Sequence, residues 1–272
     1  MPPAPATPLS EALAPLRADP ARAAILLDVD GTLAPIVRHA DDAQVPETTR
    51  LVLIEVVKAY GCVACVSGRR AATARQIVSL GSIAYLGNHG AELLRPGTTQ
   101  PELDREAGAW QRRVHQFAEQ ALAGGELQRL RVRDEDKGPI VALHWRGAPD
   151  EGAAEAAVRA VAERAEAAGL HTHWGRKVLE LRPPVALDKG RGIHWLLRDA
   201  DLDAALYVGD DRTDVDAFTG LRELVEGGRI GHAVCVGVRS EETPAELESA
   251  ADLLVDGTRG VRQLLSALVD PA

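Results

Sequence analysis

Asp28 and Asp30 stand two apart in Ile25-Leu26-Leu27-Asp28-Val29-Asp30-Gly31-Thr32-Leu33, directly after the apolar run Ala23 to Leu27. The run reads as a buried strand, and the acids with Gly31 as a polar turn beyond its C-terminal end. Residues two apart on a strand face the same side, so both carboxylates project together. Carboxylates that close repel unless a proton or a cation lies between them, and an open oxygen site of this kind suits Mg²⁺. An EF-hand loop is excluded, because Thr32 and Leu33 stand where that loop needs an acid or amide and a glycine.

Other apolar runs end in chemistry as well. Leu206 to Gly209 leads into Asp210-Asp211-Arg212-Thr213-Asp214-Val215-Asp216. Asp210 and Asp211 follow a strand end as Asp28 does, while the capping-box pattern Thr213 to Asp216 assigns Asp216 to a helix start. Ser67 closes the run Val63 to Val66 ahead of a helix whose N-terminal amides favour anions, although alone it also reads as a helix cap. Lys189, in Asp188-Lys189-Gly190, would offset an acid cluster and hold a phosphate.

Together these parts describe phosphoryl transfer to an aspartate. Asp28 is the expected nucleophile. Mg²⁺ would be held by Asp28, Asp210 and a backbone carbonyl near Asp30, with Asp211 beside them. Lys189 and Ser67 would hold the phosphoryl oxygens. Asp30 would protonate the leaving oxygen and then activate water, a role worth about 10²–10⁴ in rate.

The elements that must position these residues alternate. Helical spacing over 47–60, 70–80, 190–199, 215–225 and 259–268 is interleaved with strands at 23–27, 61–66, 83–86, 204–208, 233–238 and 253–255. This pattern predicts an α/β, doubly wound, Rossmann-like parallel sheet, whose ligands bind beyond the C-terminal strand ends. Between its halves the texture changes to helix (105–122), strands (128–133, 140–145), helix (151–168) and strands (170–174, 178–181). That is an inserted α+β unit of order αββαββ. The expected domains are a core of 23–104 and 187–272, the insert at 105–186, and a loosely ordered leader at 1–22. Pro183-Pro184 makes a stiff return from the insert.

Composition sets limits on partners. A net charge of −9 without a basic stripe, and 3% aromatic residues, argue against nucleic acid and anionic membranes. Met1 to Leu16 is rich in Pro and Ala, with neither the basic start nor the apolar core of a signal or anchor. A cytoplasmic monomer is expected. Three cysteines suit a reducing compartment, and Cys62 and Cys65, three apart on a strand, would point to opposite faces rather than form a redox pair. His171 and His173 share a strand face, but no third ligand has useful spacing, so solvent-facing histidines are expected.

At these residues the chain resembles a known family. Asp28 to Thr32, Ser67, Lys189 and Gly209 to Asp211 are similar to the four motifs of the haloacid dehalogenase superfamily of phosphatases, and the insert resembles the type of cap found between its second and third motifs. More narrowly, residues 24 to 265 resemble the trehalose-6-phosphate phosphatase family, through DVDGTLAPI (28–36), Ser67-Gly68-Arg69, GNHGAE (87–92), EDKGPIVALH (135–144), VLELRP (178–183), Asp188-Lys189-Gly190 and GDDRTDVDAF (209–218). The resemblance implies a catalytic set of Asp28, Asp30, Ser67, Lys189 and Asp214, with Mg²⁺ near Asp28, Asp30, Asp210 and Asp211. It implies substrate contacts by Arg69, Asn88, His89 and Glu92 from the core and by Glu135, Lys137, His144 and Glu180 from the cap. Paired acids and bases suit a non-reducing disaccharide, which offers only hydroxyls. Val29 and Val215 depart from the family, which usually has an aromatic at the first position and often Glu at the second. Two other readings are a phosphatase of another sugar or glycoside phosphate, such as sucrose or mannosylglycerate phosphate, and a non-catalytic sugar-phosphate sensor.

Overall fold

The computed structural model describes residues 9–37 and 39–270. The chain forms two compact units: one runs to Glu102 and resumes at Leu187, and the other is Leu103–Ala186. Strands β1 (Ala23–Leu27), β2 (Cys62–Val66), β3 (Ala84–Gly87), β4 (Glu92–Leu94) and β5 (Glu102–Leu103) come first. The insert contributes β6 (Arg133–Asp136), β7 (Val141–His144), β8 (His171–Gly175) and β9 (Val178–Arg182). The chain then completes the first sheet with β10 (Ala204–Gly209), β11 (His232–Arg239) and β12 (Leu253–Asp256).

That sheet has the order β12-β11-β10-β1-β2-β3-β4-β5. The pairs from β12 to β3 are parallel, and β4 turns back antiparallel on β3. Every residue of β1 is buried, which explains its unbroken apolar sequence. Ile25 and Leu27 pack on one face with Leu53 and Val56 of the helix Glu47–Ala59 and with Leu264 and Leu265 of the helix Gly257–Val269. Ala24 and Leu26 face Ile193 of the helix Lys189–Leu197 and Phe218 and Leu221 of the helix Asp214–Glu226.

Strand order reverses at β1, since the chain runs outward through β2 and β3 on one side and through β10, β11 and β12 on the other. Splayed connections at such a switch point leave a crevice beyond the strand ends. Register brings the chemistry there: Leu27 lies opposite both Val208 and Cys65, and the Asp28 N–H donates to the Val208 carbonyl at 2.9 Å.

The leader expectation fails over its described part; residues 1–8 lie outside the described residues. Short helices form at Leu9–Ala12 and Ala14–Ala18, with Leu13 and Leu16 fully buried in the β1 core. Three-residue spacing puts the two leucines on one helical side, and Pro15 is tolerated in a first turn. A strand expected at 128–133 is displaced to Arg133–Asp136, because Gly125, at φ +70°, starts a turn of helix Glu126–Arg129 that buries Leu127. The short β4 and β5 and the helix Ala245–Ala250 were not foreseen. Cys62 and Cys65 pack on opposite faces of β2, and burial pushes the Cys62 thiol up to about 11, so neither thiol is primed for redox exchange.

The insert is an antiparallel sheet of order β6-β7-β9-β8 with two helices, Arg105–Ala123 and Glu151–Ala167. Asp104 and Asp150 cap their N-termini by accepting backbone N–H groups. Val114, Val158 and Val161 of the helices pack on Leu143, Leu179 and Leu181 of the sheet. Alternation then turns Glu135, His144, His173, Glu180 and Arg182 to the opposite sheet face. Among the described residues, no helix is long and apolar enough to cross a membrane.

Candidate active site

Beyond β1 the chain folds into a tight loop. Leu33 and Ala34 donate their N–H groups to the Val29 carbonyl, and Gly31 donates to the Ala34 carbonyl at 2.8 Å. Gly31 is required twice over. Its φ is +81°, and a Cβ there would lie 1.9 Å from Asp210 Oδ2. This close approach lets the Asp210 carboxylate sit against the loop carrying Asp28, with Thr32 Oγ1 3.4 Å from Asp210 Oδ1.

Lys189 is almost wholly buried and donates to Asp28 Oδ1 and to Asp214 Oδ1, each at 2.7 Å. Asp214 accepts four donors in all. Tyr207 O–H reaches its Oδ1 at 2.6 Å, and the backbone N–H groups of Asp210 and Asp211 reach its Oδ2 at 2.8 and 2.9 Å. That saturates the lone pairs of a carboxylate, and Asp214 thereby fixes both the lysine and the turn that presents Asp210. The expected capping box at Thr213 does not form; Thr213 donates both its N–H and its hydroxyl to Asp211 Oδ1 instead.

Oxygens of Asp28, Asp210 and Asp214 lie within 4.8 Å of one another. Burial, opposed by Lys189 and reinforced by Asp214 and Asp210, pushes the Asp28 carboxyl well up. Burial and the neighbouring Asp214 and Asp211 push Asp210 to about 7. Charge imbalance adds to burial, for three carboxylates, if all ionised, would leave an excess of two negative charges against one ammonium. One divalent cation balances that excess, and an all-oxygen donor set fits Mg²⁺. Since Asp214 has no acceptor to spare, Asp28 and Asp210 are the carboxylates fitted to hold it.

Asp30 is placed apart from these three. Its carboxylate takes two parallel donors from Arg69, Nε at 2.6 Å and Nη2 at 2.7 Å, while Arg69 Nη1 donates to the Ala40 carbonyl at 3.0 Å. Asp211 is likewise held by Thr213 rather than within the triad. Ser67 is buried and does not cap the following helix; its Oγ accepts the Arg69 N–H at 3.1 Å, and its carbonyl accepts the His89 N–H. The helix Ala71–Val78 is capped instead by Glu92, whose Oε2 accepts the Ala71 N–H at 3.0 Å. Glu92 is 1% exposed, buried as Ser67 and Lys189 are. Asn88 is buried and donates its N–H to the Arg69 carbonyl. His89 adopts φ +54°, and its ring lies where a Cβ on Gly68 would stand, 2.7 Å from Cε1.

On the insert, Glu180 is buried between two cations. Lys137 Nζ donates to Oε1 and Arg182 Nε to Oε2, each at 2.9 Å. On the same face His144 Nε2 shares a 2.9 Å hydrogen bond with Glu135 Oε2. The expected quartet therefore forms two pairs on one sheet face. Sequence reasoning missed Arg182, although it stands two residues after Glu180 in a strand and so on the same face, and Tyr207, a hydroxyl in an otherwise apolar run. Burial raises the Glu180 carboxyl, but Lys137 and Arg182 outweigh it and hold the group down at about 2. Its folded value lies below the ordinary 4.5, so the contribution, about 3 kcal/mol, is present above pH 4.5 and lost as pH falls towards 2. Acid titration followed by near-ultraviolet circular dichroism should show the insert loosening in that window, and Glu180→Gln should flatten the response.

Comparison with known proteins agrees with this geometry. A family model described as trehalose-phosphatase matches residues 26–252. An uncharacterized glycosyl hydrolase of Mycobacterium tuberculosis is 35% identical over 208 residues, 74% of this chain and 15% of that protein. A trehalose-phosphate phosphatase of Mycobacterium marinum is 33% identical over 239 residues, 83% of this chain and 60% of its own length. The chain thus spans between 15% and 60% of these curated relatives. Among solved structures, the C-terminal domain of Candida albicans trehalose-6-phosphate phosphatase superimposes with a TM-score of 0.68, at 20% identity and 97% coverage of both chains. A haloacid dehalogenase-like hydrolase from Bacteroides thetaiotaomicron gives 0.61 at 14% identity, covering 89% of this chain and 97% of that one. The fold is thus haloacid dehalogenase-like. The family match takes in the end of β1 with its acidic loop, the whole insert and the Asp210–Asp214 turn, and the chain belongs to the trehalose-phosphatase family.

Proposed function

We propose that this chain is an Mg²⁺-dependent phosphatase that hydrolyses trehalose 6-phosphate to trehalose and phosphate through an aspartyl phosphate on Asp28. The observation that carries the reading is Lys189, buried between Asp28 and Asp214 beside Asp210 at the switch point of the sheet. An Asp28 oxygen forms the new bond to phosphorus as the bond to the sugar oxygen breaks. Asp30 donates a proton to the departing oxygen, then takes one from the water that cleaves the acyl phosphate. Lys189 holds Asp28 in position and offsets phosphoryl charge, and Ser67 is the hydroxyl for a phosphoryl oxygen. Mg²⁺ bound by Asp28 and Asp210 would neutralise the approaching anion. Hydroxyl recognition falls to the polar sheet face of the insert, where Glu135, Lys137, His144 and Glu180 form two pairs able to accept from and donate to sugar hydroxyls.

The test is phosphate release from trehalose 6-phosphate, glucose 6-phosphate, sucrose 6-phosphate and a small aryl phosphate, with and without Mg²⁺. Trehalose 6-phosphate should be the best sugar substrate by more than tenfold, and a flat panel would defeat the narrow assignment. In the same assay Glu180→Ala should lower kcat/KM for trehalose 6-phosphate by about 10²-fold, the cost of losing a charged hydrogen bond and its neighbours. Hydrolysis of the aryl phosphate should barely change. Equal losses on both esters would make Glu180 a folding residue.

A further inference from the structure

Asp30 must reach the leaving oxygen in the proposed reaction, yet here its carboxylate lies in the two-donor fork of Arg69, at 2.6 and 2.7 Å. Both backbones are pinned. Asp30 is fixed by its bridge to Ala34 and by the Gly31 hydrogen bond. Arg69 is fixed by its N–H on Ser67 Oγ and by its carbonyl, which accepts from Asn88. Asp30 can therefore change partner only by side-chain rotation, and Arg69 only by swinging its guanidinium. The pair is partly open to solvent, with side chains 20% and 33% exposed, so it can be broken without stranding a charge in the core.

Leu27 pairs with Cys65, so the chain leaves β1 at Asp28 and β2 at Ser67 side by side, and Arg69 is close enough to feel the charge of Asp28 as well as that of Asp30. The Nε–Nη2 edge of its guanidinium binds one oxyanion pair at a time and its Nη1 is held by the Ala40 carbonyl, and a phosphoryl group presents the same paired oxygens as the carboxylate now on that edge. We propose that Arg69 is an exchange residue: it holds Asp30 away in the resting protein and passes to the phosphoryl oxygens when substrate enters, which frees Asp30 to rotate towards the leaving oxygen. The inference rests on the proposed phosphatase reading and adds a competition between Asp30 and the substrate anion for one guanidinium. Once off the guanidinium, the Asp30 carboxylate can take from solvent the proton it hands to the leaving oxygen, and it is released only when an anion has taken its place.

Competition leaves a thermodynamic mark that needs no turnover. Inorganic phosphate, titrated calorimetrically in the presence of Mg²⁺ into the full chain, serves as the probe. Asp30→Ala removes the competitor and should tighten phosphate binding by about three- to tenfold. Arg69→Ala removes the shared donor and should weaken it by about tenfold. In the double variant the gain from Asp30→Ala should vanish. Removing a negative charge near the site would tighten binding by simple repulsion too, but that gain would persist without Arg69. A persistent gain, or no gain in the single variant, overturns the exchange. Circular dichroism of each variant confirms the fold, and Arg69→Lys, which keeps the charge but loses the fork, should behave like Arg69→Ala. Failure to hydrolyse trehalose 6-phosphate would defeat the functional reading and leave this phosphate cycle intact.

Discussion

Asp28→Asn is expected to reduce turnover of trehalose 6-phosphate to below about one ten-thousandth of normal, the scale on which loss of a nucleophile acts. An amide keeps the shape of the side chain and can still accept from Lys189, but it cannot form the acyl phosphate. Stability should not fall with it. Burial already works against the Asp28 charge, so the neutral amide relieves a crowded cluster and the melting temperature should hold or rise. Retention of a tenth of normal kcat, in a variant whose melt is unchanged, would remove Asp28 from the nucleophile's role.

Lys189→Ala should be the most destabilising single change at the site. Burial alone would lower the affinity of Lys189 for its proton; the Asp214 and Asp28 carboxylates outweigh it and hold the ammonium charged. Without it, two carboxylates that are 7% and 0% exposed at the side chain face each other uncompensated. Breaking a buried pair in this way costs about 3–5 kcal/mol. Urea denaturation with a chelator present should show that loss. Mg²⁺ should restore more stability to the variant than it adds to the parent protein, because the variant's cluster carries one more excess negative charge. At a hundredfold excess over its dissociation constant a bound ion adds about 2.7 kcal/mol, so the recovery is large enough to measure. A loss under about 1 kcal/mol with the chelator would mean that Lys189 is not the counter-charge of this cluster.

The strands of the core were legible because burial on both faces writes them as short apolar runs, and their acidic ends were legible because nothing else puts Asp28 and Asp210 directly after such runs. What the sequence hid was pairing. Arg69 and Asp30 are 39 residues apart, and no spacing rule connects a fork to its carboxylate across that distance. Glu92 was hidden for a related reason. An acid after a strand reads as an open ligand, and only the folded chain shows it accepting the Ala71 N–H, at the start of the helix that Ser67, taken alone, could have capped. The amphipathic pattern of the insert gave its helices, but a four-residue strand such as β6, with all its residues exposed, carries no apolar signal to fix its ends.

β1 takes its two neighbours from opposite sides of the insert: β2 closes one edge within 40 residues, whereas β10 arrives only after residue 203. During synthesis on the ribosome the most apolar strand of the protein therefore waits with one hydrogen-bonding edge unpaired while more than a hundred further residues emerge. A bare central edge is the surface that invites strand addition from other chains. Lys189 lies beyond the insert as well, so Asp28 lacks its buried counter-charge until the last third of the chain appears. The separation that lets a whole unit be inserted between β5 and β10 without disturbing the register of β1 is also what exposes the nascent chain to aggregation.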